Sequence, residues 1–351
     1  MITSLPDDII VDIIAHVSRW DYPNLCLVSK YFRSLVSSCE LYRRRSLLGC
    51  TEACIYSALL DYETNRYHLY VLRRRLKGNN VNSCSFVRIA SLPPMPFQAS
   101  YVSVGSKIYV LSGFSRSGSF SIDCTSHTVQ PFSENPHGPK ARKLLDVIDK
   151  KIFVMGSVFE HDLANLMKVM LVFNTETQTW EPEMTTKPSK ELRRFWYDNV
   201  VIAGKMYVRD SRFDESFVYE PKEDKWEPDE ILNSNKWYRG CVLDDLLYYY
   251  DPYENKLRVY DSKHKCWEVV KGLEEFFPHT AFKWSDTVTY GWRRLAVFFI
   301  KGEDRSTIRK EIWCAQIAIE RRQGHIWGKL ESYDLVFDSY FRFNKTLPVL
   351  V

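Results

Sequence analysis

Tyr219-Glu220-Pro221-Lys222-Glu223-Asp224-Lys225-Trp226 places an aromatic residue and a tryptophan seven positions apart across a polar turn. The same spacing separates Phe173 from Trp180 across Asn174-Thr175-Glu176-Thr177-Gln178-Thr179, and Tyr260 from Trp267 across Asp261-Ser262-Lys263-His264-Lys265-Cys266. A polar turn between strand-forming aromatics reads as a β-hairpin. Upstream of each lies a second hairpin, within 147–154, 201–208 and 242–249, and a further copy spans 102–110. Their matching aromatics Tyr109, Phe153, Tyr207 and Tyr248 advance by 44, 54 and 41 residues. Two hairpins per repeat give four antiparallel strands, and a period above about forty residues is that of a propeller blade.

These repeats resemble kelch repeats. In that family the inner strands end in a Gly-Gly doublet, and an aromatic and a Trp follow on the outer pair. The doublet has decayed to Ser112-Gly113, Met155-Gly156 and Lys301-Gly302, and is lost at Arg209-Asp210 and Tyr250-Asp251. The aromatic and Trp positions persist, and they fill the space between neighbouring blades. Repeats fall at about 99–132, 141–182, 197–228, 239–270 and 280–331, the last ending at Trp327. Segment 53–92 supplies three strands, Cys54 to Leu60, Tyr67 to Leu72 and Phe86 to Leu92, so its blade lacks one. The apolar tail Thr346-Leu347-Pro348-Val349-Leu350-Val351 is otherwise unemployed, and a closed ring leaves no open sheet edge. The expectation is an all-β kelch propeller over 48–351, with six blades closed by the C-terminal strand and Leu347, Val349 and Leu350 buried.

The first residues read differently. Pro6 suits a first helical turn, and Asp7 and Asp8 oppose the positive end of the helix dipole. Ile9, Ile10, Ile13, Ile14 and Val17 recur at helical spacing, with Asp12 and His16 off the stripe. Asp21 and Pro23 break the chain; Leu25, Leu27, Val28, Phe32, Leu35 and Val36 continue as two short helices, with Ser29 as the cap between them. About forty residues cannot bury so much Ile, Leu and Val among themselves. Leu5-Pro6-Asp7-Asp8, the stripe, and Val28-Ser29-Lys30-Tyr31-Phe32-Arg33-Ser34-Leu35 together resemble an F-box, here a small all-α domain over 1–47. That resemblance implies docking onto a Skp-type adaptor, and through it a cullin scaffold, by Leu5, Pro6, Ile9, Ile10, Ile13 and Leu25. Val28 and Leu35 are expected to hold the small domain together.

Composition narrows the function classes. Hydrophobic residues make up 45% of the 351 and charged residues 26%, which is ordinary for a folded chain. Aromatics reach 15%, favouring strands in the larger domain. No apolar run approaches the roughly 18 residues of a membrane span, and the N-terminus lacks a basic segment followed by an apolar one. Nine scattered cysteines suit a reducing compartment, so cytoplasm or nucleus is expected, and the sequon at Asn344 is fortuitous. A net charge of +4 gives no case for nucleic acid, and Arg43-Arg44-Arg45 and Arg73-Arg74-Arg75 read as solvated faces.

No catalytic constellation appears. Phosphate-cradling and dinucleotide motifs are absent, Gly113 to Gly118 misses the nucleophile-elbow spacing by one residue, and no two histidines stand at metal-ligand spacing. Cys124-x-x-His127 reads as a surface turn between outer strands, and Glu274-Glu275 as a solvated face. No catalytic residue, metal or other cofactor is assigned. The F-box/kelch resemblance, over nearly the whole chain, implies a non-catalytic substrate receptor of a Skp–cullin–F-box ubiquitin ligase in the ubiquitin-like conjugation pathway. Its target protein is expected on the face made by loops joining second to third strands and blade to blade. Candidates are Arg116, Arg193, Arg194, Trp196, Arg212, Trp237, Tyr238 and Arg239, because Arg, Trp and Tyr supply most binding hot spots. Two alternatives stay open: a non-degradative scaffold, and a propeller enzyme or small-molecule sensor.

Overall fold

The structure is a computed structural model, and it describes residues 5–77, 80–113, 118–135, 138–139, 143–159, 166–182, 196–210, 215–277, 284–301 and 309–351. Side chains at 74–77, 80–82, 158–159, 166–168, 196–197, 301 and 309 lie outside the description.

The chain opens with helices α1 (Asp7–His16), α2 (Tyr22–Val28), α3 (Lys30–Leu35) and α4 (Cys39–Leu47), with a 3-10 turn at Arg19–Asp21. Pro6 is the N-cap of α1, and the Oγ atoms of Ser29 and Ser38 accept hydrogen bonds from the backbone N–H of Phe32 and Leu41, starting α3 and α4. Ile10, Ile14, Ala15, Tyr22, Phe32, Val36 and Leu41 form the core of this unit. The arginine run is solvated at Arg43, which pairs with Glu40, but not throughout. Arg44 pairs with Asp12. Arg45 is buried, its Nη1 donating to the carbonyls of Ala15 (2.9 Å) and Val17 (2.7 Å) at the end of α1, and its Nη2 lies 3.4 Å from Glu52. A cation there satisfies carbonyls the helix leaves open. Arg45→Met should therefore cost about 3 kcal/mol, as loss of a buried ionic partner does, measurable by chemical denaturation.

All later strands lie in antiparallel sheets. Strands β1 (Ala53–Asp61), β2 (Arg66–Lys77) and β3 (Asn80–Arg88) come first. Four four-stranded sheets follow in chain order. They are β4 (Ser100–Val104), β5 (Lys107–Leu111), β6 (Phe120–Asp123) and β7 (Thr128–Pro131); β8 (Leu144–Ile148), β9 (Lys151–Phe159), β10 (Leu166–Asn174) and β11 (Thr179–Trp180); β12 (Trp196–Ile202), β13 (Lys205–Asp210), β14 (Glu215–Glu220) and β15 (Lys225–Pro228); and β16 (Cys241–Leu243), β17 (Leu246–Asp251), β18 (Lys256–Asp261) and β19 (Cys266–Val269). Then β20 (Ser285–Thr289), β21 (Arg294–Lys301), β22 (Arg309–Arg322) and β23 (His325–Leu350) join β1 to β3 in one seven-stranded sheet, ordered β20-β21-β22-β23-β1-β2-β3. This is an all-β, propeller-like domain behind an all-α one.

The hairpins have a common local chemistry. Phe173 faces Trp180, Tyr219 faces Trp226 and Tyr260 faces Trp267 across their ladders, with ring centroids 5.1, 4.8 and 5.0 Å apart. Each turn carries a left-handed residue two before the Trp: Gln178, Asp224 and Lys265. Asn174 and Asp261 close their turns by accepting two backbone N–H groups each, the Asx geometry. The upstream hairpins turn on Asp149-Lys150, Ala203-Gly204 and Asp244-Asp245, each pair with positive φ, which matches the twist of the flanking strands. Gly156 survives from the decayed doublet because a Cβ there would meet the Pro139 ring at 2.5 Å.

Cores lie between sheets. Tyr109 of β5 meets Phe173 of β10, Met206 and Tyr219 pack on Met155 and Met170, and Tyr249 of β17 packs with Val200 and Tyr207. The seven-stranded sheet folds so that its two halves face each other, with Phe86 to Phe298 at 5.6 Å and Tyr70 to Phe337 at 5.2 Å. Two boundaries differ from the sequence reading: β3 ends at Arg88, and β23 continues far beyond Trp327. Strand β23 pairs first with β22 (Arg309 to Arg322 against Tyr340 to His325) and then with β1 (Ala53 to Asp61 against Leu350 to Phe341). In the tail Leu347, Val349 and Val351 are buried, whereas Leu350 is exposed.

Candidate functional site

Helix α1 carries two apolar stripes. Ile10 and Ile14, one helical turn apart, point into the helical core, and Ile10 is 2% exposed. Ile9 and Ile13, one helical turn apart, form the other at 43 and 39% exposure, and Leu5, which precedes the N-cap, is 41% exposed. Pro6 is exposed beside them, and Leu25 is half-buried against the core. Two expectations are corrected. Ile10 is a core residue and cannot be a docking contact, because neighbouring helical positions point about 100° apart. Val28 is exposed at the end of α2 and does not hold the unit together, whereas Leu35 packs on its core. Leu27 on α2 is also exposed.

The helical unit is fixed to the propeller-like domain at one end. Arg19 donates from Nη2 to the carbonyl of Cys124 (2.6 Å) and from its backbone N–H to Glu52 (3.0 Å), and its guanidinium lies over the Tyr42 ring. The Cys124 to His127 segment is thus no open surface turn. Cys124 is buried, the Tyr56 hydroxyl lies 3.2 Å from His127 Nε2, and the turn abuts the helices. Burial, with Arg19 and Arg73 nearby, lowers the His127 pKa to about 4, against a weaker opposing pull from Asp123. The unfolded chain, titrating near the usual value of about 6.5, then binds more protons between these values, so stability is lost as pH falls through that window. Melting temperatures at pH 7 and pH 5 should differ less in His127→Asn than in the parent chain.

A cavity of about 230 Å³ is lined by β4, β8, β12, β16, β20 and the last part of β23. Asp146 is enclosed there, accepting from Asn199 Nδ2 (3.0 Å) and the Val147 N–H (2.9 Å), and burial pushes its carboxyl up to about 7. Asp286 is raised by burial too, facing Arg239 at 3.6 Å and the Thr346 N–H at 3.1 Å.

Of the target-binding candidates, Arg116, Arg193, Arg194 and Arg212 lie outside the described residues, as does the side chain of Trp196, which starts β12. Trp237 is 0% exposed, its Nε1 donating to Ser216 Oγ (2.9 Å) within the core between two sheets, so it presents nothing to a partner. Arg239 is enclosed by the rings of Tyr238, Trp284 and Phe343, with Asp286 beside it and its backbone N–H on Asp198. Its task is packing and charge balance; Tyr238 remains half-buried. Sequence reasoning missed Tyr62, Phe97 and Tyr253, exposed on second-to-third-strand or sheet-to-sheet connections, with Tyr253 at 85%. Tyr253 follows Asp251-Pro252 in a turn whose Asp251 accepts the Tyr253 N–H, a polar-turn signal that could have located it.

Residues 2–44 match the F-box domain family, and residues 69–337 match the family described as FKB95, Kelch-repeats domain. The chain belongs to the F-box/kelch-repeat family. One F-box/kelch-repeat protein of Arabidopsis thaliana is 41% identical over 367 residues, covering 100% of this chain and 95% of that protein. A second from the same plant is 37% identical over 360 residues, covering 96% and 93%. This F-box/kelch-repeat chain joins an exposed apolar helix face to a β domain.

Proposed function

We propose that the chain is the non-catalytic substrate-recognition subunit of a Skp–cullin–F-box ubiquitin ligase, acting in the cytoplasm or nucleus. The observation that carries this reading is the exposure of Leu5, before α1, and of Ile9 and Ile13 on the outer face of a helix whose inner stripe already fills its own core. Exposed apolar residues so aligned are best explained by an adaptor that covers them. Nine free thiols favour a reducing compartment.

The β domain is read as a six-bladed ring, because six strands line one cavity and β23 serves both the β20–β22 and the β1–β3 halves of its sheet. The helical unit packs against the turn that joins an outer strand pair, at Cys124 to His127. The target therefore docks on the opposite face, where second-to-third-strand and sheet-to-sheet connections meet. Tyr62, Phe97 and Tyr253 are its described aromatic contacts there, and Arg116, Arg193, Arg194 and Arg212 its basic ones by chain position. The mechanism is proximity: a rigid link from Arg19, Arg45 and Glu52 holds the bound target beside the ubiquitin-charged enzyme at high effective concentration.

The test is co-expression with a Skp-type adaptor and recovery of the complex with its target. Ubiquitin transfer to the captured protein, dependent on the chain, supports the receptor reading, and capture without transfer favours a scaffold. Tyr253→Ala with Arg193→Glu and Arg194→Glu should reduce target capture at least about tenfold while adaptor recovery is unchanged.

A further inference from the structure

Between the helical unit and the β domain lies a cleft of about 510 Å³, bounded by the 18–24 segment, Tyr42 of α4, Tyr56 of β1, Arg73 of β2 and the turn carrying His127. Its size is that of a small-molecule site, and its walls include four aromatic rings, Trp20, Tyr22, Tyr42 and Tyr56. It is separate from the cavity lined by the six strands and from both docking faces.

The charge inside it is unbalanced. The Arg19 guanidinium is mostly buried, and its neighbours are the Cys124 carbonyl, the Cys54 Sγ at 3.7 Å and the Tyr42 ring. Among the described residues no carboxylate lies within ion-pair distance of it. Glu52 is turned to the Arg19 backbone N–H and to Arg45. Arg73 stands exposed at the rim and likewise forms no ion pair among the described residues. Asp123, near His127, is spent on the Thr125 N–H and hydroxyl, which leaves exposed Asp21 as the carboxylate lining the cleft. A guanidinium offers five donors in a planar fork, and a buried one without a counter-ion favours an anion that can accept from it.

We infer that this cleft binds a small aromatic anion, a carboxylate or sulfonate whose charge meets Arg19 and Arg73 and whose ring lies among Trp20, Tyr42 and Tyr56. The neutral imidazole of His127, hydrogen-bonded to Tyr56, provides a polar wall without adding a third positive charge.

The probe pair is 8-anilinonaphthalene-1-sulfonate and the neutral N-phenyl-1-naphthylamine, which share a ring system and differ in the anion. Each is titrated into the full-length folded chain by fluorescence and calorimetry. Expected is saturable one-to-one binding of the sulfonate. Arg73→Gln, at an exposed position, should weaken it about tenfold without changing the melting temperature, and Arg19→Gln more strongly still. Affinity for the neutral dye should be the same in the parent chain and in Arg73→Gln. Equal affinity for the two dyes in the parent chain, non-saturating binding, or a sulfonate affinity indifferent to Arg73→Gln would overturn the inference. Because Arg19 also holds the two units together, an unfolded Arg19→Gln leaves the decision to the Arg73 variant.

Discussion

A chain ending at Lys345 is expected to be insoluble or rapidly proteolysed when expressed. The removed residues pair through Thr346↔Ser57, Leu347↔Tyr56, Pro348↔Ile55, Val349↔Cys54 and Leu350↔Ala53. Beyond that ladder, the Val351 and Glu52 backbones exchange two hydrogen bonds of 2.9 Å, the Leu350 N–H reaches Gly105 at 3.2 Å, and the Thr346 N–H reaches Asp286. Each backbone hydrogen bond is worth about 0.5 to 1.5 kcal/mol net. Burial of Leu347, Val349 and Val351 adds about 1.5 to 3 kcal/mol apiece, while exposed Leu350 adds little. The sum rivals the roughly 5 to 15 kcal/mol that holds a domain together. Truncation would also bare an edge of β1 whose core side carries Cys54, Tyr56 and Ala58. An unchanged melting temperature in the truncated chain would show that the tail is dispensable.

The second large effect separates the two stripes of α1. Leu5→Ala combined with Ile9→Asp should cut adaptor binding by more than about 2 kcal/mol, over thirtyfold, and leave thermal stability within about 0.5 kcal/mol of the parent. Ile10→Ala should do the reverse first: it empties a core position and costs about 2 to 5 kcal/mol of helical-unit stability. Pull-down of the adaptor and circular dichroism melting on the same preparations check both halves. Adaptor recovery unaffected by the outer-stripe changes would place docking on another face.

The repeated hairpins were legible because a fixed turn length fixes the offset: an aromatic and a Trp seven apart must face each other once a four-residue turn closes between them. Polar turn residues and period-two patterning advertise such elements locally. Orientation was harder to read. Ile9 and Ile10 look alike in a stripe this apolar, and only packing against Phe32 and Leu41 decides which one faces inward. Trp237 and Arg239 carry the residue types of a hot spot, but Ser216 and Asp286, distant in sequence, draw them inside. Arg45 and His127 were missed as buried groups for the same reason, since their partners come from α1 and β1. Strand β23 beyond Trp327 was hidden by Glu331, Asp334 and Asp338, which break the apolar alternation, and by the lack of any turn signal where it passes from β22 to β1. That Ile9 and Ile13 belong to an apolar helical stripe was readable, because helical spacing is a property of the sequence.

The pairing of β23 with β1 also has a temporal side. Ala53 emerges from the ribosome 297 residues before its partner Leu350. At roughly 5 to 20 residues per second, β1 waits about 15 to 60 s for the strand that covers it. Throughout that interval β1 keeps an open edge, and the final contact closes a loop of about 300 residues. An uncovered strand edge is a ready template for pairing with another chain, so the interval before β23 reaches β1 is when aggregation competes with folding.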